Sequence, residues 1–164
     1  LKRVLWLDHG HLEGDDTDAH IDTLARLCDE DIIAYVQCTD IDEVHYKPLK
    51  EMEAELQALK TNNGQPYTLV ALPMSDAIYA QDDERRLPAT YANFLIMNEV
   101  VLMPTYGVAQ DGLALTQLQK AFPNKKVIGV DCKALLLQHG SLHCITMQYP
   151  KGSINFEELE KYKY

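Results

Sequence analysis

The fold can be read from Ile32-Ile33-Ala34-Tyr35-Val36, the stretch from Pro48 to Lys60, and Tyr67-Thr68-Leu69-Val70-Ala71-Leu72. The first and last of these segments are short, apolar and rich in β-branched and aromatic residues, as strands are. Between them, Leu49, Met52, Leu56 and Leu59 recur at spacings of three or four and mark one face of a helix. Pro48 suits the first helical turn, where its missing N–H costs little, and Asn62-Asn63-Gly64 ends the helix. Upstream, Ile21 to Leu27 is a further β-prone run. The polar turn Asp29-Glu30-Asp31 separates it from Ile32 and predicts a hairpin. The unit reads β-β-α-β.

The same unit is written a second time. Tyr91 to Ile96, the turn Asn98-Glu99 and Val100 to Met103 predict a second hairpin. A helix from about Gly112 to Phe122 follows, with Leu113, Leu115, Leu118 and Phe122 as expected core contacts. Pro123-Asn124 breaks it, and Lys126 to Val130 returns as a strand. Such recurrence points to a repeat architecture closed around an axis, or to part of one. A plain α/β sandwich of two alike units is the alternative.

The ends do not complete further units. Val4 to Leu7 reads as a strand, Leu142 to Gln148 as the start of another, and Glu157 to Tyr162 as a short terminal helix. Ser75 to Pro88, carrying Asp82, Asp83, Arg85 and Arg86, reads as a surface loop. With no low-complexity linker, residues 1–164 are expected to share one domain without an internal boundary. A start at Leu1 that runs almost at once into a strand suggests an incomplete portion of that domain.

Composition excludes several function classes. The chain is 46% hydrophobic and 24% charged, ordinary for a globular protein. A net charge of −10 argues against nucleic-acid binding, which needs a clustered basic surface. It is compatible with cationic ligands, although on charge alone an acidic solubilising surface is the better account of it. No apolar run approaches a membrane span, and no leader pattern suggests secretion. The four cysteines (Cys28, Cys38, Cys132, Cys144) lack C-x-x-C spacing and the density of a disulfide scaffold. A reducing cytoplasm is the expected location.

Two segments carry the candidate chemistry. In Thr17-Asp18-Ala19-His20-Ile21-Asp22, an extended strand would set His20 and Asp22 on one face. The clustered acids Asp15, Asp16 and Asp18 would repel one another unless a cation or solvent relieves them. A solvated loop and a Ca²⁺ loop are the rivals, the latter without EF-hand spacing. The other segment is Gly140-Ser141-Leu142-His143-Cys144. Here Gly140-Ser141 permits close backbone approach to a ligand, and Cys144 supplies a sulfur nucleophile. On a strand, His143 would point away from the face of Cys144, so His20 is the expected catalytic imidazole. Cys28, Cys38 and Cys132 sit in apolar or strand-like surroundings and read as small buried hydrophobes. His20, Asp22, His143 and Cys144 could in principle hold zinc, yet no tight metal spacing supports that. His9-Gly10-His11 reads as exposed loop, and neither G-x-G-x-x-G nor a Walker lysine loop is present.

These residues resemble the agmatine deiminase family, in the guanidine-modifying superfamily that includes peptidyl-arginine deiminases. The resemblance is carried by Gly14-Asp15-Asp16-Thr17-Asp18-Ala19-His20-Ile21-Asp22, Leu72-Pro73-Met74, Leu87-Pro88-Ala89-Thr90-Tyr91-Ala92-Asn93-Phe94, and Gly140 to Pro150. Ala19 departs from the pattern, which has Gly there. The resemblance implies a partial pseudo-fivefold α/β propeller of β-β-α-β modules, with about two modules plus flanking pieces in this C-terminal part. It implies that Cys144 is the nucleophile, His20 the general acid/base and Asp22 a carboxylate holding the guanidinium. Asp18 and Asn93 match supporting positions near the substrate. No metal or organic cofactor is implied. The family's second, upstream carboxylate has no counterpart here, so residues 1–164 alone are expected to be inactive. The implied partners are a small cationic guanidinium substrate and the missing N-terminal part of the enzyme, and a homo-oligomer is left open. Agmatine, giving N-carbamoylputrescine and ammonia, is the substrate this resemblance favours. Free arginine, peptidyl-arginine and a non-catalytic assembly half remain as alternatives.

Overall fold

The computed structural model describes residues 3–15, 20–29, 31–149 and 152–162. Two three-stranded sheets are built the same way. In the first, β1 (Ala25–Asp29) pairs antiparallel with β2 (Ile32–Gln37). The chain then crosses over through helix α1 (Tyr46–Ala58), and β3 (Thr68–Pro73) lies parallel to β2 in the register Ile32↔Thr68 to Gln37↔Pro73. In the second, β4 (Leu95–Ile96) pairs antiparallel with β5 (Val100–Thr105). Helix α2 (Asp111–Ala121) leads to β6 (Lys126–Asp131), parallel to β5 from Val100↔Lys126 to Thr105↔Asp131. Both β-β-α-β units expected from the sequence are present.

The local chemistry explains these elements. β2 is the middle strand, and Ile33, Ala34, Tyr35 and Val36 are all buried, as expected of a strand covered on both faces. Helix α1 buries Leu49, Met52 and Leu56, packs on β2, and has Pro48 as its third residue. The first helical hydrogen bond comes from Leu49 N to His45 O, so the missing Pro48 N–H removes nothing. Helix α2 packs on β6 and also on β3 and β2, so it lies between the two sheets. A short helix α3 (Phe156–Glu160) follows, capped by the Asn155 side chain accepting from Glu158 N.

Several expectations fail where the chain leaves regular geometry. Leu113 is 52% exposed, whereas Leu118 and Phe122 are buried as expected, alongside Ala114 and Ala121. Tyr91 to Phe94 is fully buried yet irregular, leaving β4 only two residues long. Ile21–Thr23 is a 3-10 turn rather than the start of β1. Val4 to Leu7 forms no strand, and Leu142 to Gln148 turns through a 3-10 helix at His143–Ile145. The loop from Ser75 to Pro88 is anchored: Ser75, Ala80 and Leu87 are buried, and Tyr79 bridges to Arg86. Its longest exposed run is the tip, 81–84, where Glu84 adopts φ 56°.

A titratable side chain secures the entrance to each helix. At α1, His45 is fully buried; its Nε2 accepts from Glu13 N at 2.8 Å and its Nδ1 lies 2.7 Å from Glu43 Oε1. Because a backbone N–H can only donate, Nε2 is bare and Nδ1 carries the proton. At α2, the Asp111 carboxylate accepts from Tyr106 N, Gly107 N and Val108 N and from the Tyr91 hydroxyl at 2.7 Å. Further contacts join the two units. Thr90 Oγ1 donates to Thr23 O at 2.7 Å, Arg26 Nη1 to Phe94 O at 2.6 Å, and Arg86 Nη1 to Glu43 Oε1 at 2.7 Å. Among the described residues, no helix is long and apolar enough to cross a membrane.

Candidate active site

Three segments that interrupt the regular units meet at one place. Asp22 lies in the 3-10 turn that delivers the chain into β1. Asn93 lies in the irregular buried segment before β4. Cys144 lies in the 3-10 turn His143–Ile145, just after Gly140-Ser141. Their side chains share one hydrogen-bond cluster.

Asn93 is its centre and is completely buried. Its Oδ1 accepts from His143 N at 2.8 Å and from Cys144 N at 3.3 Å, and lies 3.5 Å from Cys144 Sγ. Its Nδ2 donates to Asp22 Oδ2 at 3.1 Å and Asp22 O at 3.3 Å. The backbone N–H donors on one side fix which end of the amide is oxygen. One side chain thus joins the candidate carboxylate to the candidate nucleophile.

His143 completes the cluster and corrects the sequence reading. Its Nδ1 lies 2.6 Å from Asp22 Oδ2. The expected turn away from Cys144 assumed the alternation of a strand, whereas neighbouring residues on a 3-10 helix are rotated by about 120°. His143 and Cys144 can therefore both face the Asn93–Asp22 group. Asp22 Oδ1 is buried and has no hydrogen-bond partner among the described residues. A buried carboxylate oxygen without a donor is costly, and a cationic N–H donor would relieve that cost.

The pairing of His20 with Asp22 also differs from expectation. His20 is extended (φ −65°, ψ 135°) but Ile21–Thr23 is helical, so strand alternation does not set their directions. The His20 carbonyl accepts from Thr23 N and Thr23 Oγ1, which pins the backbone, and its ring is exposed. Among the described residues no hydrogen bond joins that ring to Cys144. The structure thus brings Asp22, Asn93 and Cys144 together, with the His20 ring exposed. Asp18 lies outside the described residues, as does Ala19.

Supporting contacts lie beneath. The buried Tyr106 hydroxyl lies 2.7 Å from Thr90 O and 2.9 Å from Ser141 Oγ, tying the Cys144 turn to the second sheet. Burial pushes the Tyr106 phenol pKa up, so it stays a neutral partner. A Cβ added at Gly140 would sit 3.0 Å from Cys144 Cβ and 3.1 Å from Sγ, so glycine leaves the thiol its room. Burial lowers the Arg26 pKa, opposed mainly by the charge of Asp22; Arg26 lies over the Phe94 ring at 4.9 Å. Cys144 is exposed, while Cys38 and Cys132 are buried with thiols pushed up by burial, and Cys28 is half-buried. An open cavity of about 1010 Å³ borders Asp15, Asp22 and Arg26, and Cys144 does not line it. Among the described residues, no group of three or more His, Cys, Asp or Glu side chains could hold a metal ion. His9 pairs with Glu55 at 2.6 Å, and His11 stacks on His45.

The sequence reading missed His143, Arg26 and the Thr90–Tyr106–Ser141 support. The only signal for the first was Gly140-Ser141, which favours a turn over a strand at that point.

Comparison with known proteins gives a consistent result. The model of the family described as Porphyromonas-type peptidyl-arginine deiminase matches residues 1–150. A Marinomonas sp. protein provisionally named an agmatine deiminase is 33% identical over 92% of this chain and 45% of its own length. The chain therefore spans about half the length of the curated relatives it matches. Among solved structures, a Porphyromonas gingivalis protein provisionally called an arginine deiminase superposes with a TM-score of 0.88 at 56% identity. The superposition covers 93% of this chain and 44% of that one. A cysteine-to-serine variant of C. jejuni agmatine deiminase with substrate bound gives 0.79 at 44% identity, covering 87% and 40%.

Proposed function

The chain belongs to the Porphyromonas-type peptidyl-arginine deiminase family, and from that premise we propose that it carries the nucleophile-bearing part of a deiminase acting on a small guanidinium substrate. The observation that carries this reading is the Asp22–Asn93–Cys144 cluster, in which an exposed thiol stands beside a carboxylate with an unpartnered buried oxygen. Agmatine is the substrate favoured by the relatives' names. The arginine deiminase name of the P. gingivalis neighbour keeps arginine as the second reading.

The guanidinium carbon is a poor electrophile because its charge is spread over three nitrogens. Asp22 Oδ1 accepts from the guanidinium N–H groups, orients the carbon and offsets its desolvation. The Cys144 thiolate attacks that carbon and a C–S bond forms. One C–N bond then breaks, His20 protonates the departing nitrogen, and ammonia leaves. The thiouronium left on Cys144 is attacked by water, whose proton passes to His20. The C–S bond breaks, releasing a ureido product and the thiolate. Water and agmatine in, N-carbamoylputrescine and ammonia out, balances without a redox partner. Asp18 and Asn93 support the substrate side and the thiol side respectively. The substrate-bound cysteine-to-serine variant of the C. jejuni enzyme supports a reacting thiol in this family.

The two β-β-α-β units are two modules of a five-module propeller in a cytoplasmic enzyme. The remaining modules and a second clamp carboxylate come from an upstream part of the same protein. Residues 1–164 alone then lack deiminase activity, because a loosely held substrate misplaced by about 1 Å loses on the order of a hundredfold in rate.

The experiment is labelling of the full-length protein with a haloacetamidine, followed by mass-spectrometric mapping and assay of ammonia release from agmatine. The adduct is expected on Cys144, with turnover lost in Cys144→Ser. An adduct on Cys28, Cys38 or Cys132 with Cys144 spared would overturn the assignment.

A further inference from the structure

Asp22 has two oxygens in unequal surroundings. Oδ2 receives the Asn93 amide at 3.1 Å and faces His143 Nδ1 at 2.6 Å. Oδ1, equally buried, receives no donor among the described residues. A carboxylate that rotated about its Cβ–Cγ bond would exchange these environments, so the two donors on Oδ2 set its plane. The His143 donor is itself held: its backbone N–H points at Asn93 Oδ1 (2.8 Å) and Asn93 O (3.2 Å), closing a ring of contacts through Asn93 and Asp22.

We propose that His143 is a positioning residue for substrate binding, whose Nδ1–H holds Oδ2 of Asp22 so that Oδ1 stays presented to the guanidinium. This rests on the deiminase reading of the same site. Because an ionised carboxylate only accepts, Nδ1 is the protonated nitrogen, and the bond is charge-assisted. Its geometry is that of a second donor behind a ligating carboxylate, which fixes direction rather than transferring a proton. Without it, Asp22 retains the weaker Asn93 bond and can turn. The guanidinium then loses an aligned partner while Cys144 keeps its own contacts with Asn93. Binding suffers more than the chemical step.

Substitution distinguishes a positioning His143 from one that transfers a proton. Asparagine places an amide N–H where histidine Nδ1 stands, yet cannot shuttle a proton at neutral pH. In the full-length protein, His143→Ala is expected to raise the KM for agmatine about 10- to 100-fold, the scale of one charge-assisted hydrogen bond, with a smaller change in kcat. His143→Asn is expected to recover most of that loss and to leave the shape of the pH profile of kcat/KM unchanged. A second readout needs no turnover: agmatine titrated calorimetrically into Cys144→Ser should bind more weakly when His143→Ala is added and normally when His143→Asn is added. If His143→Asn behaves like His143→Ala in protein of unchanged thermal midpoint, positioning by the donor is overturned, and the functional reading stands. If His143→Ala binds and turns over like the wild type, the proposal is likewise overturned. If agmatine and arginine both fail to bind Cys144→Ser, the deiminase reading falls and takes this proposal with it.

Discussion

The two β-β-α-β units differ most where they should be most alike. The first opens with a five-residue β1, whereas the corresponding β4 has only two residues. The shortfall is not a deficit of apolar sequence, since Tyr91, Ala92 and Phe94 are fully buried. The residues have been withdrawn from the ladder so that Asn93 can turn its amide toward Asp22 and the 143–144 turn. In the first unit the same concession falls just before β1, where the 3-10 turn at Ile21–Thr23 presents Asp22. Regular repeats hold the frame, and the site is made from the segments where repetition stops. That division of labour follows from geometry: a strand fixes side chains to alternate faces, while converging three of them from separate segments requires bends.

If this division is right, substitutions in the frame should cost stability and those in the interruptions should cost activity. The largest effect should come from matched truncations of the two helices, Met52→Ala in α1 and Leu118→Ala in α2. Both side chains are fully buried, and each loss should destabilise by about 2–5 kcal/mol. Denaturant titration measures this, and specific activity per folded molecule should not change. A fall in that activity from either one would dissolve the distinction between frame and site.

Asn93→Ala tests the other side. It removes the acceptor for two backbone N–H groups and the donor to Asp22, and should lower kcat/KM for agmatine by on the order of a hundredfold. It also tests whether a buried polar residue in an otherwise apolar run can be mainly functional, since near-normal turnover would make Asn93 a packing residue only. Gly140→Ala should be milder. Its Cβ meets Cys144 Cβ and Sγ at 3.0 and 3.1 Å, and a shift of a few tenths of an ångström in the thiol should cost about tenfold in kcat. Steady-state kinetics at unchanged thermal midpoint decides it; an unaltered kcat would show that the turn yields without moving the sulfur.

The smallest effect concerns the helix entrances, secured by a histidine in one unit and an aspartate in the other. Burial holds the His45 pKa below its usual 6.5, with Glu43, Arg86, His11 and the Glu13 backbone packed around it. The unfolded chain takes up a proton that the folded one excludes. Stability from neutral His45 is therefore complete above pH 6.5 and lost as pH falls from there through the folded pKa. The loss cannot exceed about 1.4 kcal/mol per pH unit for one proton. His45→Gln should flatten that slope in denaturation measured at pH 7.5 and 5.5. Parallel slopes would remove His45 from the pH dependence.

Legibility of the sequence followed the same division. Periodicity found α1, α2, β2, β3, β5 and β6 nearly to the residue, because a buried face repeating every 2 or 3.6 residues is a local property. It failed for Ile21–Thr23, Tyr91–Phe94 and Leu142–Gln148. There the apolar content is that of a strand, but side chains from distant segments decide the backbone path. Leu113 was misjudged for a related reason: α2 lies between two sheets, and which stripe is buried depends on a sheet laid down earlier in the chain. At the site, Cys144, Asp22 and Asn93 were recognisable from the motifs that carry the family resemblance. His143 was not, because its orientation depended on a turn that had been read as a strand.

The tip of the Ser75–Pro88 loop, with Glu84 at positive φ, is the longest exposed run in the link between β3 and the Tyr91–Phe94 segment. Across it, Arg86 donates to Glu43, Thr90 to Thr23 O and Arg26 to Phe94 O. A nick at Asp82–Asp83 would leave two polypeptides, one bearing Asp22 and the other Asn93 and Cys144, already supplied with their own docking contacts. Separately expressed halves are therefore expected to reassociate, and only then to set the Cys144 thiol and the Asp22 carboxylate on either side of Asn93.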